Sequence, residues 1–162
     1  MAISGRLKFI ADLVTAGHTA CDVGTDHGFV PAYLLRENIS PYVLAVDVSE
    51  GSLAKARELS YRFGLEGRME CRLSDGFEKV LPGEADTCII SGMGGILMTK
   101  IMDAHPEVFT SFKEVILSPH RDADLVRSTI SGYGFDIVFD DIIEDKKKQY
   151  VVIKAVRSDD SK

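Results

Sequence analysis

Residues 22–28 read Asp22-Val23-Gly24-Thr25-Asp26-His27-Gly28, a loop with two glycines and two acidic residues. Apolar residues at 20–24 predict a short strand that runs into it, and residues 30–37, rich in Leu and Ala, predict a helix that follows it. A strand, then glycines, then a helix start is a nucleotide-binding arrangement. Glycine lets the backbone approach a ligand, and the first turn of the helix offers free N–H donors.

Asp26 determines which kind of ligand suits this loop. Dinucleotide-binding loops have the spacing G-x-G-x-x-G, whereas Gly24 and Gly28 are spaced G-x-x-x-G and Asp26 stands where the second glycine would be. A carboxylate there repels a pyrophosphate, which disfavours NAD and FAD. S-Adenosylmethionine (SAM) carries an ammonium and a sulfonium, so an acidic loop favours it. A tight strand–helix turn with a solvated Asp26 is the alternative interpretation.

Strands and helices alternate along the rest of the chain. Further strands are predicted at 43–48, 69–73, 86–91, 114–118, 135–143 and 150–156, and helices at 6–14, 30–37, 49–63, 95–104 and 123–132. Repeated strand–helix units predict a doubly wound α/β fold, with helices on both faces of a mostly parallel sheet. The link at 144–149 is too short for a parallel crossover, so the last two strands are predicted to form an antiparallel hairpin. This is the outline of a Rossmann-like class I methyltransferase domain.

Length and composition are those of one globular domain. The chain has 162 residues, of which 45% are hydrophobic and 27% charged, so a wholly disordered chain is excluded. No apolar stretch approaches the roughly 18 to 20 residues that span a bilayer, and no signal-peptide core is present near the N-terminus. We therefore expect a cytoplasmic protein without a membrane partner. The net charge of −6 excludes a strongly basic surface but not a local basic face of the kind that nucleic-acid binding needs.

Cysteine and histidine show no metal-binding pattern. The three cysteines, Cys21, Cys71 and Cys88, form no C-x-x-C pair and are expected to be small buried hydrophobes. No cluster of histidines and carboxylates has metal-ligand spacing, so no metal is expected. His18 and His105 lie in turn-like segments and are expected to be solvated.

Acidic residues follow the second and third predicted strands. Asp47 comes about 20 residues after the glycines, where a carboxylate can accept hydrogen bonds from ribose hydroxyls. Ser49 is a candidate cap for the next helix. Asp75, in Ser74-Asp75-Gly76, can accept from the exocyclic amine of an adenine; a cap for a helix that starts at Phe77 is the alternative. Because ligands bind at the carboxyl ends of the strands, these loops are expected to meet.

The loop after the fourth predicted strand is Ser91-Gly92-Met93-Gly94-Gly95. Three glycines in four residues indicate that the backbone bends there or comes close to a ligand. Methyltransferases that act on exocyclic amines often carry Asn or Asp followed by two prolines at this place, and their side chains accept from the amine. This chain has no such side chain. A ring nitrogen already has its lone pair in the plane and needs none, so the loop favours a ring-nitrogen acceptor.

The loop at 22–27, followed by Pro31, and the later run Ile90-Ser91-Gly92-Met93-Gly94-Gly95 together resemble the bacterial tRNA (adenine-22 N-1)-methyltransferases, which are SAM-dependent enzymes of the class I fold. The likeness runs from Arg6 through the terminal hairpin. It implies a methyltransferase domain over residues 1–157, followed by a frayed tail at 158–162. The family also has a coiled-coil C-terminal domain, which this sequence does not contain. The implied reaction is methyl transfer from SAM to N-1 of an adenine in tRNA; no oligomeric state is predicted.

The resemblance also implies roles for individual residues. SAM contacts are implied at Asp22, Gly24, Asp26, His27, Asp47, Asp75 and Gly92, and the neighbouring Gly28, Ser49 and Gly76 are predicted to join them. The candidate catalytic residues are Asp26, His27 and Met93. His27 can take a proton near neutral pH, or it can position SAM or the backbone through a hydrogen bond.

The substrate side departs from the family. Where the family has Gln-Pro-Asn after the fifth strand, this chain has Ser118-Pro119-His120, and His120 is predicted to contact the substrate in place of the Asn. Arg6 and Lys8, on the first helix, are the candidates for contacts with RNA phosphates. The basic run at 146–148 is interpreted as a solvated turn.

Two other functions stay open. The acidic charge and the missing C-terminal domain favour a methyltransferase for another substrate, such as a small molecule. His120 in place of Asn favours a catalytically silent SAM-binding module. Methyl transfer to bulk tRNA distinguishes the three.

Overall fold

A computed structural model describes residues 3–158 of the chain. The strands are β1 (Ala20–Val23), β2 (Val43–Asp47), β3 (Met69–Leu73), β4 (Thr87–Ser91), β5 (Glu114–Ser118), β6 (Phe135–Asp145) and β7 (Lys148–Arg157). The helices are α1 (Gly5–Asp12), α2 (Phe29–Arg36), α3 (Glu50–Arg62), α4 (Gly95–Ala104), α5 (Pro106–Phe109) and α6 (Ala123–Gly132).

The strands form one seven-stranded sheet in the order β3-β2-β1-β4-β5-β7-β6. The first five strands of the chain pair in parallel, and β7 is antiparallel to both β5 and β6. The predicted doubly wound α/β fold with a C-terminal antiparallel hairpin is confirmed. The carboxyl ends of the five parallel strands lie at one edge of the sheet, which is where such folds bind ligands.

The sheet is buried on both faces because successive residues of a strand point to opposite sides. Ile89 belongs to the apolar cluster beneath α1, α2 and α3, and Ile90 belongs to the cluster beneath α4, α5 and α6. Cys21 and Cys88 are buried and Cys71 is half-buried, all as free thiols. The short apolar runs that predicted the strands are therefore core positions.

A buried carboxylate ties the strands together at the opposite, amino-terminal edge of the sheet. Glu114 is 2% exposed. It accepts hydrogen bonds from the Thr15 N–H at 2.8 Å and from the hydroxyls of Thr15 and Thr87 at 2.6 and 2.7 Å, and Lys154 Nζ lies 3.5 Å away. Burial alone would raise the pKa of Glu114, but these hydrogen bonds hold it below its usual value.

His18 joins this network, so the expectation that it is solvated is wrong. Its side chain is 24% exposed, with Nδ1 3.4 Å from Glu114 Oε2 and 3.0 Å from Thr87 Oγ1. His105 is 33% exposed and lies beside Glu107. The sequence around His18 has the composition of a turn, but the buried Glu114, distant in sequence, holds the ring against the sheet.

Two segments between strands differ from their predictions. The short helix α5 was not predicted, because four residues carry no helical periodicity. Turns, not a helix, follow Phe77, so Asp75 caps no helix. Phe77 packs in the core against Phe109 and Phe112, with ring centroids 6.3 and 5.6 Å away. Burial of this ring, rather than local propensity, holds the segment.

The terminal hairpin is longer than predicted and its turn is shorter. β6 continues to Asp145 and β7 starts at Lys148, so only Lys146 and Lys147 connect them. β7 includes Arg157. The tail predicted at 158–162 begins with Ser158, whose N–H donates to the Gly134 carbonyl at 2.9 Å; residues 159–162 lie outside the described part of the chain.

Candidate active site

A cavity of about 400 Å³ opens at the carboxyl ends of β1, β2 and β4. It lies where the sheet topology predicts a ligand site. Eight of the residues predicted from the sequence line it: Arg6, Asp22, Gly24, Asp26, His27, Asp47, Gly92 and Met93. The fold therefore brings together loops that are far apart in the sequence.

The glycine loop turns back onto β2 directly after β1. The N–H groups of Gly24 and Thr25 both donate to the Val46 carbonyl, at 2.9 and 3.0 Å. Gly24 has a φ of +73°, and a Cβ added there would lie 3.1 Å from Met93 Cε. Glycine is needed because a side chain would be strained and would press on Met93. Because Gly24 has no side chain, its backbone at the cavity wall is open to a ligand.

Asp22 is a buried carboxyl group at the floor of the cavity. It is 4% exposed, and its Oδ2 accepts a hydrogen bond from the Thr25 hydroxyl at 2.8 Å. Burial, opposed by this hydrogen bond and reinforced by the negative charges of Asp47 and Asp26, raises the pKa of Asp22 to about 7. A cationic ligand in the cavity would favour its ionised form.

Asp47 is fixed by backbone donors from both sides. Its Oδ2 accepts from the Asp26 N–H at 3.0 Å, and its Oδ1 accepts from the Ser49 N–H at 2.9 Å. Asp26 takes a φ of +57°, which Asp tolerates better than most residues. Each carboxylate oxygen keeps further acceptor capacity, so Asp47 can accept from a pair of hydroxyl groups without moving.

His27 stands at the cavity wall in a fixed orientation. Its ring stacks on Phe29, with centroids 5.4 Å apart and parallel planes. Its Nδ1 lies 3.0 Å from Asp26 Oδ1, and its Nε2 lies 3.4 Å from Lys55 Nζ. With both ring nitrogens occupied, the contacts favour the positioning interpretation of His27 over proton transfer.

The loops after β4 and β5 are pinned to each other. The His120 N–H donates to the Met93 carbonyl at 3.0 Å, and the Gly95 N–H donates to the Arg121 carbonyl at 2.9 Å. A Cβ on Gly95 would lie 2.5 Å from the Asp122 carbonyl oxygen. Gly95 is therefore required for α4 to begin against the neighbouring loop. This packing sets the position of Met93 in the cavity.

Four of the predicted cofactor residues do not line this cavity. Gly28 packs against α3, since a Cβ added there would lie 2.8 Å from Ala56 Cβ. Gly76 packs against Ile101, since a Cβ added there would lie 3.0 Å from Ile101 Cγ2. Ser49 caps α3 by accepting from the Ser52 N–H at 3.2 Å. Asp75 lies in an adjoining cavity of about 260 Å³.

The adjoining cavity continues the first one along the ends of β2 and β3. Val48 lines both cavities. Val48 and Leu73 are apolar yet 67% and 49% exposed, and they lie beside Asp75. Together the two cavities form a groove with an apolar stretch next to Asp75 and an acidic stretch at Asp22, Asp26 and Asp47.

The predicted substrate residues separate in the structure. Arg6 lines the main cavity; its guanidinium lies 4.6 Å above the Tyr150 ring centroid, and its Nη1 is buried without a protein partner among the described residues. Lys8 instead pairs with Asp12 at 2.9 Å. His120 is exposed and lies in a further cavity beside Tyr150.

Three apolar and aromatic residues at the site or beside it were not predicted from the sequence. Val48 was placed inside the strand, but β2 ends at Asp47. Phe29 directly follows the glycine loop, and its neighbour His27 was the available signal. Tyr150 opens the last predicted strand, and only the antiparallel return of β7 brings it to Arg6.

Residues 3–158 contain neither a metal-binding cluster nor a membrane-spanning helix. Within them, no group of three or more His, Cys, Asp or Glu side chains is arranged to hold a metal ion. No helix in that range is long and apolar enough to cross a membrane.

The chain is similar to known proteins along nearly its whole length. A family model described as "Methyltransferase domain" matches residues 3–153. The tRNA (adenine(22)-N(1))-methyltransferase of Bacillus subtilis (strain 168) is 28% identical over 159 residues, which are 98% of this chain and 67% of that protein. The crystal structure of the B. subtilis m1A22 tRNA methyltransferase has a TM-score of 0.91 at 27% identity, covering 96% of this chain and 67% of that one. A Streptococcus pneumoniae structure in complex with S-adenosyl-L-methionine has a TM-score of 0.90 at 28% identity, covering 96% of this chain and 73% of that one.

Proposed function

Because this chain belongs to the methyltransferase domain family, we propose that it transfers the methyl group of SAM to the N1 nitrogen of an adenine in tRNA. The observation that carries the proposal is the acidic, glycine-walled cavity at the carboxyl ends of β1, β2 and β4. The similar S. pneumoniae structure contains SAM, and the similar B. subtilis protein is a tRNA (adenine-22 N1)-methyltransferase. Since its substrate is tRNA, the proposed enzyme works in the cytoplasm.

The groove fits the chemistry of SAM. Asp47 offers carboxylate oxygens to the ribose hydroxyls, while Asp22 and Asp26 offer negative charge to the ammonium and sulfonium groups. Among the described residues, Arg6 is the only Lys or Arg that lines the main cavity, and it suits the cofactor's carboxylate. Val48 and Leu73 provide an apolar surface for the adenine ring, with Asp75 as the acceptor for its exocyclic amine.

When bound, SAM supplies an electrophilic methyl group on a sulfonium. The residues of the chain have to align the acceptor with that methyl group and exclude water, because an in-line displacement depends mainly on geometry. Ser91, Gly92 and Met93 line the cavity and provide backbone and thioether surface there rather than a base. A neutral ring nitrogen attacks without losing a proton first, so no base is required.

The acceptor base has to leave its stack to reach this cavity. Enzymes that act on a base inside a paired region bring the nucleotide into the pocket and provide new stacking and hydrogen-bonding partners. Met93 and the His27–Phe29 pair lie at the cavity and offer such apolar and aromatic surface. We assign Asp26 and His27 to positioning, and Met93 to contact with the reacting groups.

Transfer of a labelled methyl group tests the proposal. We expect the protein to move label from SAM to unmodified tRNA, and we expect Asp47→Ala to reduce the transfer at low SAM concentration without unfolding the chain. Label in a small molecule but not in tRNA would support the alternative substrate class. SAM binding without any transfer would support the silent module.

A further inference from the structure

The β6–β7 hairpin extends past the edge of the sheet on the side of the site. β7 pairs with β5 from Ile153 to Val156, but it pairs with β6 from Lys148 onward. At roughly 3.4 Å per residue, its start lies roughly 17 Å beyond the last β5 pair. Because β7 is antiparallel to β5, this overhang lies at the same edge as the cofactor cavity. Any large substrate that reaches the cavity from this side meets the hairpin.

The tip of the hairpin carries three consecutive exposed lysines in an acidic chain. Lys146 and Lys147 form the turn with φ values of +52° and +67°, and Lys148 is the first residue of β7. Two positive φ angles define a turn that strongly prefers Asn-Gly. Positive φ angles carry a backbone cost for residues other than glycine, so the preference of the turn does not explain the two lysines.

Two carboxylates precede these lysines: Glu144 is exposed, and Asp145 faces the protein. Asp145 Oδ2 accepts from the Arg6 N–H at 3.1 Å, at the first turn of α1. Arg6 in turn lies over the Tyr150 ring. Outside the overhang, Phe9 of α1 contacts Phe139 of β6, with ring centroids 5.6 Å apart. The overhang is therefore supported by α1.

A cavity of about 390 Å³ lies between the base of this overhang and the loop after β5. It is lined by Pro119, His120, Lys148, Gln149, Tyr150 and Val151. None of these residues is acidic, whereas three carboxylates line the cofactor cavity. Tyr150 and His120 offer ring surface, and Gln149 and Lys148 offer hydrogen-bond donors. Arg6 joins the two cavities, since it lines the first and lies over Tyr150 of the second.

We propose that the lysine tip, residues 146–148, and the cavity beside Tyr150 dock the tRNA next to the adenine that enters the active site. The lysines bind backbone phosphates, and the cavity takes a nucleotide that flanks the target. This inference rests on the proposed tRNA substrate. The sequence predicted only a solvated turn at the tip. It predicted phosphate contacts at Lys8, which is ion-paired in the structure, and we assign such contacts to residues 146–148 instead.

Replacing the two turn lysines with the sequence that the turn prefers gives a decisive test. In Lys146→Asn/Lys147→Gly, we expect a melting temperature equal to or above that of the wild type and unchanged SAM affinity. If each lysine neutralises one phosphate, tRNA affinity at 0.1 M salt falls about 5- to 8-fold per lysine, and the log–log salt slope falls by about 0.7 to 0.9 per lysine. A second variant, Lys148→Gln, should show the loss of affinity and of salt slope expected for one lysine.

The matched control removes the same charge elsewhere. Lys100 is an exposed residue of α4, and Lys113 lies before β5 at the opposite edge of the sheet, 60% exposed. Lys100→Gln/Lys113→Gln should leave the salt slope unchanged. In methylation assays the tip variants should raise the KM for tRNA while kcat at saturating tRNA stays at the wild-type value, because the lysines do not touch the reacting atoms.

The outcomes separate this inference from the proposed function. If the wild type methylates tRNA and the tip variants bind it with the wild-type salt slope, the docking surface is wrong and the function stands. An equal loss of slope in the tip variants and in the control would also overturn the docking surface, since net charge alone would explain it. If the wild type neither binds nor methylates tRNA, the function and the inference both fail.

Discussion

At the scale of single residues, three carboxylates in one cavity have three different environments. Asp22 is buried and hydrogen-bonded to Thr25. Asp26 has a side chain that is 73% exposed, at a positive φ. Asp47 is held by two backbone N–H groups. Because their environments differ, we expect the three carboxylates to contribute differently to SAM binding.

Asp47 should contribute most directly to cofactor affinity. Asp47→Ala removes charge-assisted hydrogen bonds worth about 1.5 to 3 kcal/mol, which corresponds to a loss of about 10- to 100-fold in SAM affinity. Calorimetric titration with SAM measures this, and a melting curve shows that the variant is folded. The control Asp124→Ala, on a 99% exposed carboxylate of α6, should bind SAM normally. Unchanged affinity in folded Asp47→Ala would remove this residue from the site.

Asp22 should make stability depend on pH. Its folded-state pKa is about 7 because of burial, against an ordinary value of 3.8, so the folded state holds a proton that the unfolded state has already lost between these values. The free energy of unfolding therefore falls as pH rises through this range, by about 4 kcal/mol in all. Asn has no carboxyl group to titrate, so the free energy of unfolding of Asp22→Asn should not fall in this way. Its melting temperature relative to the wild type should rise from pH 5 to pH 8; a constant difference would contradict the assignment.

The same group should make cofactor binding depend on pH in the opposite sense. A cationic ligand needs the ionised carboxylate, so we expect SAM affinity of the wild type to rise about 5- to 10-fold between pH 6 and pH 7.5. Asp22→Asn should bind SAM more weakly at pH 7.5, with little change over this interval. Titration calorimetry at both pH values measures the difference. A wild type with pH-independent affinity would show that Asp22 does not meet the positive charge of the ligand.

The residues of the glycine loop could be predicted from the sequence because they are consecutive and carry distinctive chemistry. Asp22, Gly24, Asp26 and His27 all line the cavity. Tyr150 could not be predicted in the same way, since its place beside Arg6 depends on the antiparallel return of β7. Residues of this kind belong to the site through tertiary packing alone.

At the scale of elements, the site depends on how α4 begins against the loop after β5. A Cβ on Gly95 would lie 2.5 and 2.8 Å from the carbonyl oxygens of Asp122 and Arg121. Such a clash is with backbone, so the elements themselves have to shift. The hydrogen bond from His120 to the Met93 carbonyl would shift with them.

Gly95→Ala should therefore destabilise the protein and impair methyl transfer more than it impairs SAM binding. The loss of stability should be in the range of overpacked core positions, about 1 to 3 kcal/mol. Gly132→Ala, in α6 with nothing within 4 Å of the added Cβ, is the matched control and should stabilise by about 0.4 to 1 kcal/mol. Denaturant unfolding measures both. Equal stability of the two variants would refute the packing argument.

The elements that the sequence predicted well are those with strong local patterns. The strands of the parallel sheet and the two-stranded end were visible as apolar runs, and Ser49 was visible as a cap. The helix α5 and the turns after Gly76 could not be predicted from local patterns. Their conformations depend on burial of Phe109 and Phe77 against each other, a contact between residues too distant in the chain for any local pattern to show.

At the scale of the whole molecule, charge is divided between two parts of one sheet edge. The net charge is −6, and three of the carboxylates surround the cofactor cavity. The exposed lysines at 146–148 lie on the overhanging hairpin beside it. This division suits a reaction that joins a cationic methyl donor to a polyanionic acceptor. It is also the arrangement that the proposed docking of tRNA requires in an acidic chain.

The acceptor atom proposed for this enzyme is N1 of an adenine in tRNA. The most direct measurement is incubation of unmodified tRNA with the protein and SAM, followed by digestion at neutral pH and separation of the nucleosides against 1-methyladenosine and N6-methyladenosine standards. Because the loop from Ser91 to Gly95 carries no Asn or Asp to accept from an exocyclic amine, we expect 1-methyladenosine. N6-Methyladenosine as the product, or no methylated adenosine at all, would contradict it.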